Sequence, residues 1–304
     1  MKQFILILCV AFCFNATAQL PSVTLDSMVI VASAGEFDED DFMKKVVADT
    51  SFYKAFKNLR FFPHKTKGRL LVYNRKDGEK GFSTTAATQK KKGNRMWVEI
   101  DEEKTNGKIK NRKGEYKYLT AEMYDEVFFP KDTAEVSNVI GDSFKQEKQG
   151  GGKIERHKSE MMIMMFNPGT DVKGIPMIGK KMSIFDKDMI KYYDYKIWLY
   201  DYKDSIPCYA FTVKAKPEWR TNATVIKELT SYFDQETMQV LKREYHLEYK
   251  SMILEFNIKM DVENENRNGE TIAKKVYYEG FWDLPAKKAE NIVFALSFSD
   301  YDLR

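Results

Sequence analysis

Cysteine is scarce in this chain, with three in 304 residues, Cys9, Cys13 and Cys208. The first two fall in an N-terminal stretch that looks removable: Lys2, an apolar run over residues 4–14, and Ala16-Thr17-Ala18 ahead of Gln19 make the pattern of a cleavable export signal. A span needs about 20 apolar residues, so that run is too short for one. Neither Leu8 nor Phe12 is the small residue that precedes the cysteine of a bacterial lipoprotein signal, and no lipid anchor is expected at either. With residues 1–18 removed, Cys208 stands alone and an internal disulfide is excluded, so an exported product must be held by its core. A chain of this length suffices for one. No later segment is apolar enough to cross a membrane as a helix. Histidine is as scarce as cysteine; His64 and His157 have no partner at ligand spacing, and no HExxH run occurs. No GxSxG segment occurs either.

What is present in quantity is aromatic, 14% of the chain, mostly Tyr and Phe, which favours sheet over helix bundle. The clearest stretch is residues 252–262. Met252, Leu254, Phe256, Ile258, Met260 and Val262 alternate with Glu255, Asn257, Lys259 and Asp261, the period of a strand with one dry and one wet face. A one-residue slip would bury Glu255 and Lys259, so the register is strongly specified. From residue 192 onward the strands come in series, at 193–200, 208–215, 224–232, 240–250, 252–263, 272–278 and 292–301, with short links of the kind an antiparallel meander requires. Before them, residues 28–31 read as a first strand. Residues 38–49 and 50–59 read as two short amphipathic helices, with Thr50 or Ser51 capping the second. Residues 69–74, 95–100 and 108–118 read as strands, and 120–129 as a short helix capped by Thr120 and ended by Pro130. Residues 142–160, with Gly150-Gly151-Gly152, read as a flexible loop. The division predicted is therefore residues 19–141 with helices and small strands, the loop 142–160, and the meander 161–304, sharing one continuous core. The fold class is α+β, a large curved antiparallel sheet forming an open half-barrel on short helices.

A family resemblance rests on the same stretch. The succession Tyr232-Phe233-Asp234, residues 241–249, the two-sided strand 252–262 and Val276-Tyr277-Tyr278-Glu279-Gly280-Phe281-Trp282 resembles uncharacterised exported proteins of Bacteroidota. More distantly it is similar to the curved-sheet family of periplasmic lipoprotein carriers and related mycobacterial lipoproteins. That resemblance spans at most residues 190–302 and implies an unclosed antiparallel barrel, capped by helices, with acyl chains held between. It contains no catalytic motif. The lipid-binding arginine of the family has no matching position in the stretch, so the carrier activity is not carried over.

Several clusters have a chemical and a structural reading. Glu244, His246 and Glu248 share the polar face of one strand, where two carboxylates beside an imidazole suit a divalent metal; a solvated strand face with Lys242 and Lys250 is the expected reading. Ser143 in Gly141-Asp142-Ser143 has no base, and Gly150-Gly151-Gly152-Lys153 lacks the spacing of a phosphate-binding loop. Cys208, beside Pro207 in a strand, reads as a packed thiol. Residues 90–117 carry ten Lys or Arg against five acids, with Trp97 and Tyr116 interleaved. Because acids alternate with bases and export removes the chain from nucleic acid, a solvated hairpin is expected, with anionic lipid or lipopolysaccharide phosphate the more reasonable partner. Asp26-Ser27-Met28, Asp132-Thr133-Ala134 and Asp204-Ser205-Ile206 match a short O-glycosylation signal that resembles Bacteroidota usage, where about one match is expected by chance. Methionines between Met161 and Met189 suit a loosely shaped core and a pocket for variable acyl chains alike.

The reading that follows is a non-enzymatic binding module of the cell envelope, in the periplasm, at the outer membrane or secreted. No cofactor, metal or nucleic acid is called for. Its ligand, apolar and of the lipid class, would lie between sheet and helices, lined by Met162, Met165, Leu254, Phe256, Ile258 and Phe294. Two other readings remain open: a structural partner in an outer-membrane assembly, docking through a strand edge or the basic hairpin, and a metal-assisted hydrolase using Glu244, His246 and Glu248.

Overall fold

The computed structural model describes residues 28–31, 37–74, 78–139, 164–170, 178–219, 222–252, 254–284 and 288–304, the first of these as backbone. The signal stretch, the loop 142–160 and Met162 lie outside the described residues, as do Ser143 and His157. Twelve strands, numbered in chain order, form one sheet: β1 (Met28–Val31), β2 (His64–Tyr73), β3 (Glu79–Lys92), β4 (Arg95–Gly107), β5 (Ala134–Glu135), β6 (Tyr193–Tyr202), β7 (Ile206–Ala215), β8 (Ile226–Asp234), β9 (Val240–Lys250), β10 (Glu255–Arg267), β11 (Glu270–Asp283) and β12 (Glu290–Ser299). Their spatial order is β1-β6-β7-β8-β9-β10-β11-β12-β2-β3-β4-β5. The expected meander is there from β6 to β12. The N-terminal strands then continue the same sheet, because β12 pairs with β2 through Ile292↔Val72 and Phe294↔Leu70. Every pairing is antiparallel except that of β1 with β6.

Alternation decides which face is dry. Along β10, Phe256, Ile258, Met260 and Val262 are buried while Asn257 and Lys259 are exposed. The same alternation buries Leu70 and Val72 on β2 and Ile292, Phe294, Leu296 and Phe298 on β12. Two of the expected residues do not follow it. Lys250 pairs with Glu255, so residues 251–254 form the turn between β9 and β10, closed by Ser251 N–H donating to the Leu254 carbonyl at 2.8 Å. Met252 is therefore fully exposed and Leu254 half-buried.

Among the described residues, three helices with assigned bounds cover the dry face: α1 (Glu39–Ala48), α2 (Ser51–Leu59) and α3 (Leu119–Phe128). Asp38 caps α1, accepting from Asp41 N–H at 2.9 Å, and its ring Phe42 packs against Phe211 of β7 and Phe233 of β8. The capping of α2 differs from expectation. Thr50 makes no side-chain cap; Asp49 accepts from Ser51 N–H at 2.9 Å, and Ser51 Oγ is taken by Val240 N–H of β9 at 2.9 Å. Nor does Thr120 cap α3, which begins one residue earlier. Glu290 of β12 takes that place, accepting from Thr120 N–H at 3.0 Å and its hydroxyl at 2.5 Å, so a buried carboxylate from across the core meets the positive end of the helix.

Two segments read differently from the sequence. β3 has no apolar period, because its buried side is built from Gly81, Ser83, Thr85, Ala87 and Gln89; Gln89 donates to the carbonyls of Leu59 and Phe62. Residues 108–118, expected as a strand, make one isolated bridge, Lys110↔Tyr116. The reason is the turn at Asn111, whose side-chain oxygen accepts from Lys113 and Glu115 N–H and turns the chain back after four residues.

The core between β10–β12 and α3 is a stack of rings. Phe294 lies 4.7 Å from Tyr278 with planes 9° apart, and Tyr124 and Phe128 close on its other sides. Gly280 makes room for this, since a Cβ there would overlap the Tyr278 ring, which Trp282 holds by donating to its hydroxyl at 2.8 Å. Gly280→Ala is expected to cost about 1–3 kcal/mol by overpacking, read as a lower urea midpoint with unchanged slope. His64 supplies a pH test. It is buried between Phe298 and Tyr301, its Nδ1–H donating to the Phe62 carbonyl at 2.8 Å. Desolvation lowers its pKa from 6.5 to about 4. The unfolded chain binds the proton first, so stability is full above pH 6.5 and falls as pH drops through about 4, by about 3 kcal/mol in all. His64→Phe is expected to flatten that part of the pH profile.

Candidate functional site

The described lining candidates share the covered layer, but in different states. Phe256 lies 4.8 Å from Trp282 and 6.1 Å from Tyr249; Ile258 and Phe294 are fully buried. Met165 is helical, with Met164 and Phe166, and its carbonyl accepts from the hydroxyl of Tyr245 on β9. The next ring, Phe166, stacks on Phe56 of α2 at 4.3 Å. Leu254 is at the turn after β9, and Met162 is not among the described residues. None of these lines the three cavities whose walls are described.

Residues 164–170 contribute to the walls of two of those cavities, and Ile184 and Phe185 to one of them. The larger, about 70 Å³, has walls of Val46, Val47, Ile184, Phe185, Phe211 and Leu229, with the polar groups of Asp49, Asn167, Thr170, Ser231 and Arg243. The smaller, about 10 Å³, is lined by apolar groups from α2, β10 and β11, by Phe166, and by Asn264. Asn264 donates to the Val240 carbonyl at 3.0 Å, while its buried Oδ1 has no protein partner. Phe52 joins the two: its ring is in the wall of the smaller cavity, and the Arg243 guanidinium of the larger one lies over that ring at 4.3 Å.

Arg243 is the notable group. It is 9% exposed, on the dry face of β9 with Tyr245, Leu247 and Tyr249. Its Nε–H donates to Ser231 Oγ on the neighbouring strand at 2.8 Å, and Nη2 lies 3.5 Å from Asp49 Oδ2 at the end of α1. Burial lowers its pKa and Asp49 opposes that. A guanidinium offers five donors in a planar fork, so an anion entering the larger cavity would meet a fixed positive charge between walls of mixed apolar and polar side chains. Sequence reading missed this residue by attending to the even positions of β9. The signal was available: the alternation that puts Lys242, Glu244, His246 and Glu248 in water puts Arg243 with the tyrosines.

The polar face of β9 does not assemble a metal site. Glu244 accepts from the Tyr232 hydroxyl at 3.0 Å and pairs with Lys242 at 2.7 Å. His246 Nε2 is 3.1 Å from Asn257 Oδ1 and 3.7 Å from Glu248. Among the described residues no group of three or more His, Cys, Asp or Glu is placed to hold a metal ion. Cys208 is buried and burial raises its pKa to about 11, leaving the thiol protonated and a poor nucleophile. The basic hairpin is β3–β4, where Lys90 pairs with Glu99 and Lys110 with Glu103. An open cleft of about 590 Å³ near α3 is walled by Glu115, Glu122, Asp125, Glu126 and Asp132 beside Lys131, Tyr116 and Phe129.

Removing one member of a buried pair leaves the other uncompensated. Arg243→Met is expected to cost about 3–5 kcal/mol, and Arg243→Met with Asp49→Asn less than the sum of the two single changes. Urea unfolding of the four proteins tests this, and strictly additive costs would show that the pair is not coupled.

No protein-family model matches the chain, and neither does any curated protein. Two solved structures are distant likenesses. One is a DUF1329 family protein from Desulfovibrio piger, 11% identical, with 83% of this chain and 92% of that chain covered at a TM-score of 0.26. The other is a putative outer membrane lipoprotein-sorting protein domain from Vibrio parahaemolyticus, 8% identical, with 86% and 89% covered at a TM-score of 0.27. Among the described residues no helix is long and apolar enough to cross a membrane.

Proposed function

We propose that the protein is an exported, non-enzymatic binding module of the cell envelope that holds an amphiphile with an acidic head and an apolar chain. On this reading residues 1–18 are removed on export, and the sheet is an open half-barrel around its helices. Residues 19–141 and 161–304 share one core, with 142–160 between them. The observation that carries the reading is Arg243, a buried cation lining a cavity whose walls mix apolar side chains with Asp49, Asn167, Thr170 and Ser231. Its protein counter-ion, at 3.5 Å, is farther than the roughly 2.8 Å of a good charge-assisted bond.

The head group would displace Asp49 as the partner of Arg243. The chain would run past Phe52 into the space closed by the Phe56–Phe166 stack, towards Met165, Phe256, Ile258 and Phe294, with Leu254 at its margin. Residues 164–170 contribute to the walls of both cavities, so lifting that one segment opens both. Methionine in the cover suits this, because an unbranched thioether adapts to a chain of variable shape.

The test is mass spectrometry of the protein purified from its native envelope, first intact under non-denaturing conditions and then after organic extraction. A stoichiometric acidic amphiphile is expected in the extract. With oleate as probe, Asp49→Asn is expected to tighten binding several-fold by freeing Arg243, and to leave binding of uncharged oleyl alcohol unchanged. Bare polypeptide together with no uptake of oleate would overturn the reading and favour a protein partner.

A further inference from the structure

The two ends of the sheet differ in their exposed apolar side chains. Tyr193 pairs with Ala215, Ile226 with Leu247, Lys250 with Glu255 and Glu255 with Asp283. One end therefore collects residues 178–192 ahead of β6, the β7–β8 connection, the β9–β10 turn and the β11–β12 connection. Two large apolar side chains stand out from it. Met252, at the tip of the β9–β10 turn, is 101% exposed, and Trp219, in the β7–β8 connection, is 42% exposed. Neither is a frayed residue. The turn is closed on both sides of Met252 by Ser251, whose hydroxyl also accepts from Leu254 N–H at 3.1 Å. The Trp219 ring rests edge-on against Tyr192 at 5.1 Å, and its backbone N–H donates to the Lys216 carbonyl at 2.9 Å.

Cations surround these tips. The described parts of the connections contribute Lys180, Lys181, Lys187, Lys191, Lys216 and Lys288 against Asp186, Asp188 and Glu218. At the other end of the sheet, the β6–β7, β8–β9 and β10–β11 turns, residues 203–205, 235–239 and 268–269, hold Lys203, Asp204 and Glu236 and no exposed large apolar residue, and the β3–β4 turn there is flanked by Lys91, Lys92 and Arg95, again with no exposed large apolar residue. The end that carries Met252 and Trp219 is also tied together. Lys181 donates from Nζ to the Asn222 carbonyl, Val225 N–H reaches the Lys181 carbonyl at 3.4 Å, and Asn222 Oδ1 accepts from Lys250 N–H at 3.3 Å.

We infer that this end of the sheet docks on an anionic lipid surface, with Trp219 and Met252 entering the headgroup layer and the lysines facing lipid phosphates. An exposed indole and an exposed thioether at one end of the sheet cost solvation in water and are satisfied at a membrane interface, where tryptophan is enriched. Each lysine near an anionic surface adds to the attraction, which salt weakens. Charge complementarity selects the occupant: a neutral protein groove would not need the lysines, and a nucleic acid would not need an outward Met252. The inference stands apart from the ligand reading. A chain with an empty core can dock in this way, and a chain that carries an amphiphile can ignore vesicles.

Co-sedimentation of the full chain with vesicles tests it, using phosphatidylcholine alone and an equal mixture of phosphatidylcholine and phosphatidylglycerol. Binding to the mixture is expected to be about tenfold tighter or more than to phosphatidylcholine, and to fall as salt rises. Trp219→Ser with Met252→Ser should weaken it about tenfold, and Lys216→Glu with Lys288→Glu should remove the preference for the anionic lipid. Tyr277→Ser, which removes an exposed apolar ring from the wet face of β11, should leave binding unchanged. The positions are exposed or partly so, and circular dichroism confirms that each variant is folded. Equal binding to both vesicles, no binding to either, or unchanged binding by the Trp219 and Met252 variant would overturn the inference.

Discussion

The constraint on which the molecule rests is that a sheet of this width carries one face of aromatic and aliphatic groups that water cannot be allowed to reach. Burying a ring such as Phe294 contributes about 1.5–3 kcal/mol, and the face holds many such rings, so the cover is not an accessory. Among the described residues it is assembled from three short helices and the segments 164–170 and 178–192, none long enough to be stable on its own. Each is held by what it does for the sheet. The clearest case is α3, whose first turn is completed by Glu290 of β12, so that helix and strand satisfy each other's polar groups.

Within that dry layer the ion pair of Arg243 and Asp49 is the exception, and its position matters more than its strength. A buried pair of this kind is weak evidence of stabilisation, because desolvation offsets much of the attraction. Here it lies where the loop between α1 and α2 meets β8 and β9, in the walls of the larger cavity. The same fork of donors that ties α1 to the sheet is the group an acidic ligand would recognise, so structure and binding compete for one side chain.

Much of the architecture was legible because alternation survives wherever one face is dry. The strands from β6 to β12 and the helices α1 and α2 were found within a few residues on that basis. β3 was not, since its inward side is Gly, Ser, Thr, Ala and Gln, and small or polar groups facing a helix end leave no period to read. Residues 108–118 misled for the opposite reason, having apolar spacing with an Asn turn in the middle. The site was less legible than the fold. Phe256, Ile258 and Phe294 were rightly placed on the dry face, but a residue list cannot say that rings will fill the space between them. Arg243 was recoverable by counting odd positions on β9. Asp49 was not, because the contact that joins it to Arg243 is tertiary.

The pairing of β12 with β2 bears on how the chain reaches its fold. β2, β3 and β4 form early in the sequence as a local hairpin series, yet Val72 has no neighbour on its other side until Ile292 arrives. Until then β2 presents an unpaired edge and an apolar face. Contacts so far apart in sequence slow folding, and an exposed edge invites pairing with other chains in the meantime. The exposed side chains along the free edge of β4, rich in Glu and Asp, and the lysines and Arg69 on the outer face of β2, then serve the unfinished chain as much as the finished one: they keep the waiting half of the sheet apart from its copies until the last strand closes the gap.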